Sequence, residues 1–171
     1  MSSKKILSFV YGTLKRGQPN HYRLGEEYGT SVLVGSARTV QQLPLVIASK
    51  YNIPFLLYAA GKGTNVVGEI YEIDEKMLEN LDEFECHPTF YERDIVMVIQ
   101  THDAQDKELK EPIKVECYCY YLKKYKPELL DGPVFENYEA FGSHGHHYVI
   151  RCEEDRQANN GYHPAMDVVA A

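Results

Sequence analysis

Short apolar segments separated by Gly, Pro and Asn are the feature of this sequence that most restricts its fold. These segments occupy residues 6–11, 32–40, 43–48, 54–59 and 66–73. This spacing of short apolar segments is typical of strands in an antiparallel or mixed sheet, because βαβ units would place longer helical stretches between successive strands. Pro19 is suited to the first position of a helix, so we also expect a short helix over 19–28.

The segment 74–84 predicts the main helix of the chain. Asp74 is a good N-cap residue, and Glu75 suits the positive end of the helix dipole. The apolar stripe of the predicted helix consists of Met77, Leu78, Leu81 and Phe84.

Two alternating segments in the second half of the chain predict further strands. In 91–100 every second residue from Tyr91 to Ile99 faces one way, and 113–122 alternates in the same manner. We expect a solvated loop over the charged residues 101–112 between them. The result is an α+β domain over 1–150, followed by an irregular C-terminal tail over 151–171.

Composition and charge exclude several classes of protein. The 171 residues are 44% apolar and 25% charged, which indicates one globular domain. A net charge of −7 argues against a nucleic-acid partner, since the phosphate backbone requires clustered positive charge. No apolar run approaches the roughly 18 residues of a membrane span. Without a targeting segment we expect a cytosolic protein whose four cysteines are reduced structural thiols.

Most common catalytic signatures are missing from the sequence. It contains no G-x-S-x-G, no H-E-x-x-H and no G-x-G-x-x-G after a strand. The segment His144-Gly145-His146-His147 lacks a carboxylate or cysteine at matching spacing, so it predicts a polar turn and not a metal site.

Tyr11-Gly12-Thr13-Leu14, directly after the first predicted strand, is one candidate for chemistry. Gly12 permits the close approach of other groups to the backbone, and successive N–H groups in such a turn can bind an anion. An ordinary strand-to-loop turn is the alternative.

Acidic residues at the end of the predicted helix are the second candidate. Asp82 and Glu83 lie off the apolar stripe, so we expect both to be mainly solvated. Glu85 falls where the helix ends, beside Phe84 and Phe90. Desolvation there would raise the pKa of Glu85 and make it a base near neutral pH. By spacing alone, a solvated glutamate at a helix end is the alternative.

Several separated motifs resemble the γ-glutamylamine cyclotransferases, which belong to the γ-glutamylcyclotransferase-like superfamily together with the avirulence-induced proteins of plants. The motifs occupy residues 9–21, 43–48, 52–57, 68–71, 74–78, 81–85 and 91–93, in the family's order and spacing. The resemblance covers residues 6–148. One departure is the family's Gly-Pro-His-Gly-type turn, which here is Gly142-Ser143-His144-Gly145; the tail 149–171 has no counterpart.

The resemblance implies a small mixed or antiparallel β-barrel with flanking helices. It assigns the family's catalytic glutamate to Glu85 and its substrate-holding loop to Tyr11, Gly12, Thr13 and Leu14. It implies a small γ-glutamyl compound as the partner, and no metal or organic cofactor.

The predicted reaction is the cleavage of a γ-glutamylamine, such as γ-glutamyl-ε-lysine, to 5-oxoproline and a free amine. The α-amine of the substrate is the nucleophile, and Glu85 is the general acid and base. Tyr120, on the more polar face of its strand, is a candidate hydroxyl partner. Two alternatives stay open: a cyclotransferase for γ-glutamyl amino acids or glutathione, and a non-catalytic ligand-binding or adaptor protein with the same fold.

Overall fold

The described part of the chain is built mainly from strands. The computed structural model describes residues 5–149 and 163–170. Its strands are β1 (Ile6–Val10), β2 (Ser31–Thr39), β3 (Leu45–Ala48), β4 (Ile53–Leu56), β5 (Val67–Ile73), β6 (Glu92–His102) and β7 (Glu108–Tyr121). Its helices are α1 (Glu75–Phe84) and α2 (Ala165–Val168), and it has 3₁₀ turns at His21–Leu24 and Pro127–Asp131.

Five of the strands close into a barrel in the order β1-β5-β2-β6-β7. The neighbours are antiparallel except where β7 returns to β1, because Ser8 pairs with Tyr118 in parallel. Strands β3 and β4 form a separate hairpin in which Leu45 pairs with Leu56. The predicted α+β fold with a small mixed barrel is therefore confirmed.

The alternation predicted for the last two barrel strands separates the inside of the barrel from the outside. In β6 the buried residues Val96 and Val98 belong to the interior cluster, whereas Ile95 is exposed. In β7 the interior residues include Cys117 and Cys119, which are buried free thiols. Tyr120 points to the opposite side, where it is buried among residues of α1.

Helix α1 begins and ends where the sequence predicts. The Asp74 side chain accepts a hydrogen bond from the Met77 backbone N–H at 2.8 Å, which satisfies an N–H group that lacks a partner within the helix. Met77 and Leu81 are buried against the outer wall of the barrel. Glu85 is the C-cap residue, so the helix ends directly before the predicted catalytic glutamate.

Three segments differ from the predictions. The helix expected over 19–28 is only the 3₁₀ turn His21–Leu24, which ends at Gly25. The solvated loop expected over 101–112 is much shorter, because β6 and β7 extend as an exposed hairpin to His102 and Glu108. The polar composition of residues 101–112 indicates that they are exposed to solvent, but it does not determine their backbone conformation.

The C-terminal tail is the third difference, since residues 163–170 are not irregular. They contain helix α2, and its Val168 side chain is fully buried. The backbone N–H of Lys126 donates to Val168 O at 2.7 Å, and that of Ala170 donates to Lys124 O at 2.9 Å. None of the described helices is long and apolar enough to cross a membrane.

Candidate active site

A cavity of about 260 Å³ lies where the ends of β1 and α1 meet the start of β4. All the predicted site residues line it, namely Tyr11, Gly12, Thr13, Leu14 and Glu85. The fold thus brings together two segments that are far apart in the sequence. The rest of the wall is largely aromatic and includes Phe84, Phe90, Tyr91 and Tyr120.

Backbone N–H groups at the end of β1 are one set of hydrogen-bond donors among the residues that line this cavity. Within the described residues, the N–H groups of Gly12, Thr13 and Leu14 donate to no protein acceptor, although Gly12 and Leu14 are buried. Buried N–H groups are nearly always paired in folded proteins. Three consecutive donors on a cavity wall therefore suit an anionic group, such as a carboxylate or a developing oxyanion.

Contacts behind the loop hold it in this shape. Thr13 O accepts a hydrogen bond from the Asn20 backbone N–H at 2.8 Å, and Thr13 Oγ1 accepts one from Asn20 Nδ2 at 2.9 Å. The buried Lys15 ammonium donates to Tyr138 O at 2.7 Å. Burial lowers the pKa of Lys15 to about 8, although the charge of two glutamates favours its protonated form. The loop is thus tied both to itself and to a distant segment.

Glu85 is the acidic group of the cavity wall. Its backbone N–H continues the hydrogen bonding of α1 by donating to Leu81 O at 2.9 Å. Burial raises the pKa of the Glu85 carboxyl from 4.5 to about 8, and the Arg23 guanidinium opposes this shift. Arg23 lies 4.6 Å from the centre of the Phe84 ring. A carboxyl group with such a pKa can take up and release a proton near neutral pH.

Hydrogen bonds fix two tyrosines of the aromatic wall. The Tyr11 hydroxyl donates to Tyr120 O at 2.7 Å, which ties the end of β1 to β7. The Tyr91 hydroxyl donates to Pro54 O at 3.0 Å, and its ring stacks on Phe55 with ring centres 5.5 Å apart. Because these contacts fix both rings, the shape of the cavity is largely preformed.

The match to a family model agrees with this arrangement. The model described as "Gamma-glutamyl cyclotransferase, AIG2-like" matches residues 8–140, which include the loop at the end of β1 and Glu85. The chain belongs to this family. The predicted family resemblance is therefore confirmed.

Individual relatives of this cyclotransferase are similar over nearly their whole length. The gamma-glutamylaminecyclotransferase of Mus musculus is 46% identical over 144 residues, which are 84% of this chain and 95% of that protein. The protein of the same name from Homo sapiens is 41% identical over 148 residues, or 85% and 97% of the two chains. These relatives are named as enzymes, which confirms the prediction of a cyclotransferase and favours it over an adaptor protein.

A solved structure supports the fold of the cyclotransferase. The crystal structure of an AIG2-like protein from Mus musculus superimposes with a TM-score of 0.79 at 43% sequence identity. The match covers 87% of this chain and 98% of that one. The barrel and its helices are therefore those of the family.

The prediction that Asp82 is mainly solvated is wrong. Asp82 is 26% exposed, accepts a hydrogen bond from the Tyr120 hydroxyl and forms an ion pair with Arg93. Glu83, in contrast, is exposed as predicted. No pattern in the sequence near Asp82 indicates these partners, because Arg93 and Tyr120 belong to β6 and β7.

His163 and Cys86 are among the residues of the cavity wall that the sequence did not predict. His163 lines the cavity from the C-terminal segment, and its ring lies 4.9 Å from that of Phe90. No motif in the tail points to it. Cys86, expected to be a structural thiol, is exposed and also lines the cavity. Cys152 lies outside the described residues.

Metal-binding groups are not arranged as a site in the described part of the chain. No cluster of three or more His, Cys, Asp or Glu side chains there could hold a metal ion. In the predicted polar turn, His144 stacks on His146 with ring centres 5.9 Å apart, and His144 Nε2 lies 2.7 Å from Glu139 O.

Proposed function

We propose that the protein cleaves γ-glutamylamines, closing the glutamyl group to 5-oxoproline and releasing the free amine. The observation that carries this proposal is that one cavity is lined both by a proton-accepting carboxyl, that of Glu85, and by three backbone N–H donors that have no acceptor among the described residues. The names of the relatives support an amine as the leaving group.

The substrate supplies its own nucleophile in this reaction. The α-amine nitrogen attacks the γ-carbonyl carbon, a five-membered ring forms, and the amide bond to the leaving amine breaks. A bent substrate held in the cavity therefore reacts intramolecularly, which is worth several kcal/mol of the activation barrier, on the order of 7–11 for the best-oriented cases. Atoms and charges balance without any other reactant.

The Glu85 carboxyl transfers the protons in this reaction. The α-amine arrives as an ammonium ion, so a base must take one proton before or during the attack. The carboxylate of Glu85 takes that proton and donates it to the departing nitrogen. Ring closure leaves a second proton on the attacking nitrogen, which Glu85 transfers in the same way, so the lactam nitrogen keeps one hydrogen and the amine leaves as its ammonium ion. Binding of the cationic substrate beside Glu85 favours the ionised carboxylate, which offsets part of the effect of burial on its pKa.

The N–H groups of Gly12, Thr13 and Leu14 are assigned to the anionic groups of the substrate. They would bind the glutamyl carboxylate or the oxyanion that forms on the γ-carbonyl oxygen. One such donor is typically worth about 3 kcal/mol in the transition state. The donors belong to a loop tied down by Asn20 and Lys15, so little reorganisation is needed when charge develops.

The test is the release of 5-oxoproline from two substrates side by side. With γ-glutamyl-ε-lysine and γ-glutamyl-alanine at equal concentration, we expect a higher kcat/KM for the first. Faster turnover of the alanine compound, or of glutathione, would assign the protein to γ-glutamyl amino acids instead. No 5-oxoproline from any γ-glutamyl compound would overturn the proposal.

The proposal also includes the cytosolic location predicted from the sequence. The buried free thiols Cys117 and Cys119 support it, since such thiols persist in reducing compartments. Fractionation of cells that produce the protein, followed by the same assay, tests this part.

A further inference from the structure

Three side chains from α1, β6 and β7 meet beside the cavity. The Tyr120 hydroxyl donates a hydrogen bond to Asp82 Oδ1 at 2.6 Å. Asp82 Oδ2 accepts a hydrogen bond from Arg93 Nη1, and the two side chains are only 26% and 24% exposed. The Arg93 backbone N–H donates to His87 Nδ1 at 2.9 Å. One carboxylate, that of Asp82, thus ties together the helix and two barrel strands next to the candidate active site.

The hydrogen bond to Asp82 determines what Tyr120 presents to the cavity. A phenol has one O–H donor and lone pairs that accept. Because an ionised carboxylate can only accept, the Tyr120 hydrogen must point toward Asp82. Burial, and then Asp82 itself, raise the pKa of Tyr120 far above 10.0, so the hydroxyl stays protonated. The Arg93 guanidinium also interacts with this hydroxyl oxygen, and since Tyr120 lines the cavity, a remaining lone pair of the oxygen can accept a hydrogen bond there.

An acceptor at this position suits one part of the substrate of the proposed reaction. An ammonium group has three N–H donors and no acceptor, whereas the carboxylate and the oxyanion require donors. Gly12, Thr13 and Leu14, at the end of β1, supply backbone N–H donors for those anionic groups. The negative charge of Glu85 is close enough to Tyr120 to contribute to its raised pKa. Tyr120 and Glu85 therefore offer a cation an acceptor and a negative charge in one cavity, and the charge of the nearby Arg93 is paired with that of Asp82.

We propose that Asp82 is a positioning residue, which holds the Tyr120 hydroxyl as an acceptor for the α-ammonium group of the substrate beside Glu85. This inference rests on the proposed function. Arg93 fixes the orientation of Asp82 by pairing with it, so that the nucleophilic nitrogen is held by Tyr120 while Glu85 takes its proton. Asp82 itself does not touch the substrate.

The experiment compares two ligands that differ only in the α-ammonium group. The substrate is γ-glutamyl-ε-lysine, and the inhibitor is glutaryl-ε-lysine, in which hydrogen replaces the amine. For Tyr120→Phe we expect KM for the substrate to rise about tenfold or more, because a hydrogen bond to a charged group is lost. The inhibition constant of the glutaryl compound should stay within about twofold. An equal rise of both constants would show that the ring only shapes the cavity, and would overturn the inference.

A double-mutant cycle tests whether Asp82 acts through Tyr120. We expect Asp82→Ala to raise KM several-fold, and the double variant Asp82→Ala/Tyr120→Phe to match Tyr120→Phe alone. Additive effects, or no effect of Asp82→Ala, would overturn the positioning role. Glu83→Gln, an exposed neighbour, serves as the control and should behave like the wild type.

These outcomes are distinct from a failure of the proposed function. If the wild type releases no 5-oxoproline, the proposed function itself is wrong. If the wild type is active and the ligand pair or the cycle gives the contrary result, only the inference about Asp82 and Tyr120 is wrong. Should Asp82→Ala fail to fold, the ligand pair measured with Tyr120→Phe still decides whether the hydroxyl contacts the ammonium group.

Discussion

Gly12 lies directly against the ring of Pro54. A Cβ atom on residue 12 would be only 2.8 Å from Pro54 Cγ, a distance that real Cβ atoms essentially never show. This contact joins the loop after β1 to β4 and sets the position of the N–H groups that line the cavity. The need for glycine here is thus a matter of space, and φ at this residue plays no part.

The Gly12→Ala variant tests that contact. The added methyl group should displace the loop, lower kcat/KM by tenfold or more, and destabilise the protein by about 1–3 kcal/mol, as overpacking usually does. Urea unfolding and the 5-oxoproline assay measure the two effects. Gly132→Ala is the matched control, since its nearest new contact would be at 4.0 Å. Wild-type activity in Gly12→Ala would show that the loop position is not critical.

Glu85→Gln removes the proposed base while keeping its size. We expect turnover to fall by at least the ~100-fold typical of a lost general base, with KM changed much less. Circular dichroism should show an unchanged fold, because Glu85 lies at the end of α1. Glu83→Gln, two residues earlier and exposed, should retain full activity. An active Glu85→Gln protein would move the catalytic role to another group.

The pH dependence of the reaction follows from the pKa of Glu85. The base works in its ionised form, so kcat/KM should rise with pH and level off above about 8. The substrate amine titrates as well, so the profile is measured again with a substrate whose α-amine has a different pKa. Only the part of the profile that is due to the substrate amine should then move along the pH axis. A profile that is flat between pH 5 and 8 would contradict a base with a raised pKa.

The raised pKa of Glu85 also predicts how the stability of the folded protein changes with pH. The folded state holds the Glu85 proton up to about pH 8, whereas the unfolded chain releases it near 4.5. The folded state therefore binds more protons between these values, and stability falls as pH rises through this range. From pH 5.5 to 8.5 the wild type should lose about 3 kcal/mol relative to Glu85→Gln, at about 1.4 kcal/mol per pH unit. Urea unfolding of both proteins measures this difference, and parallel stabilities would contradict burial of the carboxyl.

Docking of the C-terminal segment is tested by Val168→Asp. A carboxylate at this fully buried position should release α2 from the barrel, and with it the His163 ring from the cavity wall. We expect KM to change several-fold with little effect on kcat. Met166→Asp, on the same helix but 63% exposed, is the control. Identical kinetics for both variants would show that the segment does not contribute to the cavity.

Local patterns in the sequence were sufficient for the barrel strands, for helix α1 and for the loop after β1. Alternation in β6 and β7, the N-cap at Asp74 and the stripe ending at Phe84 each depend on residues only a few positions apart, so they can be recognised without the fold. They also place Glu85 at the end of the helix. Resemblance to a family then connected Glu85 with the loop from Tyr11 to Leu14.

Contacts between distant residues were decided only by the tertiary structure. The position of Asp82 off the apolar stripe of its helix predicts a solvated side chain. Only closure of the barrel brings Arg93 and Tyr120 against it. Burial of Lys15 and docking of Val168 depend in the same way on segments far along the chain. The pKa of Glu85 is raised by burial that several elements produce together. A residue's own neighbours in sequence indicate its conformation, whereas its solvation and its partners depend on which surfaces pack against each other.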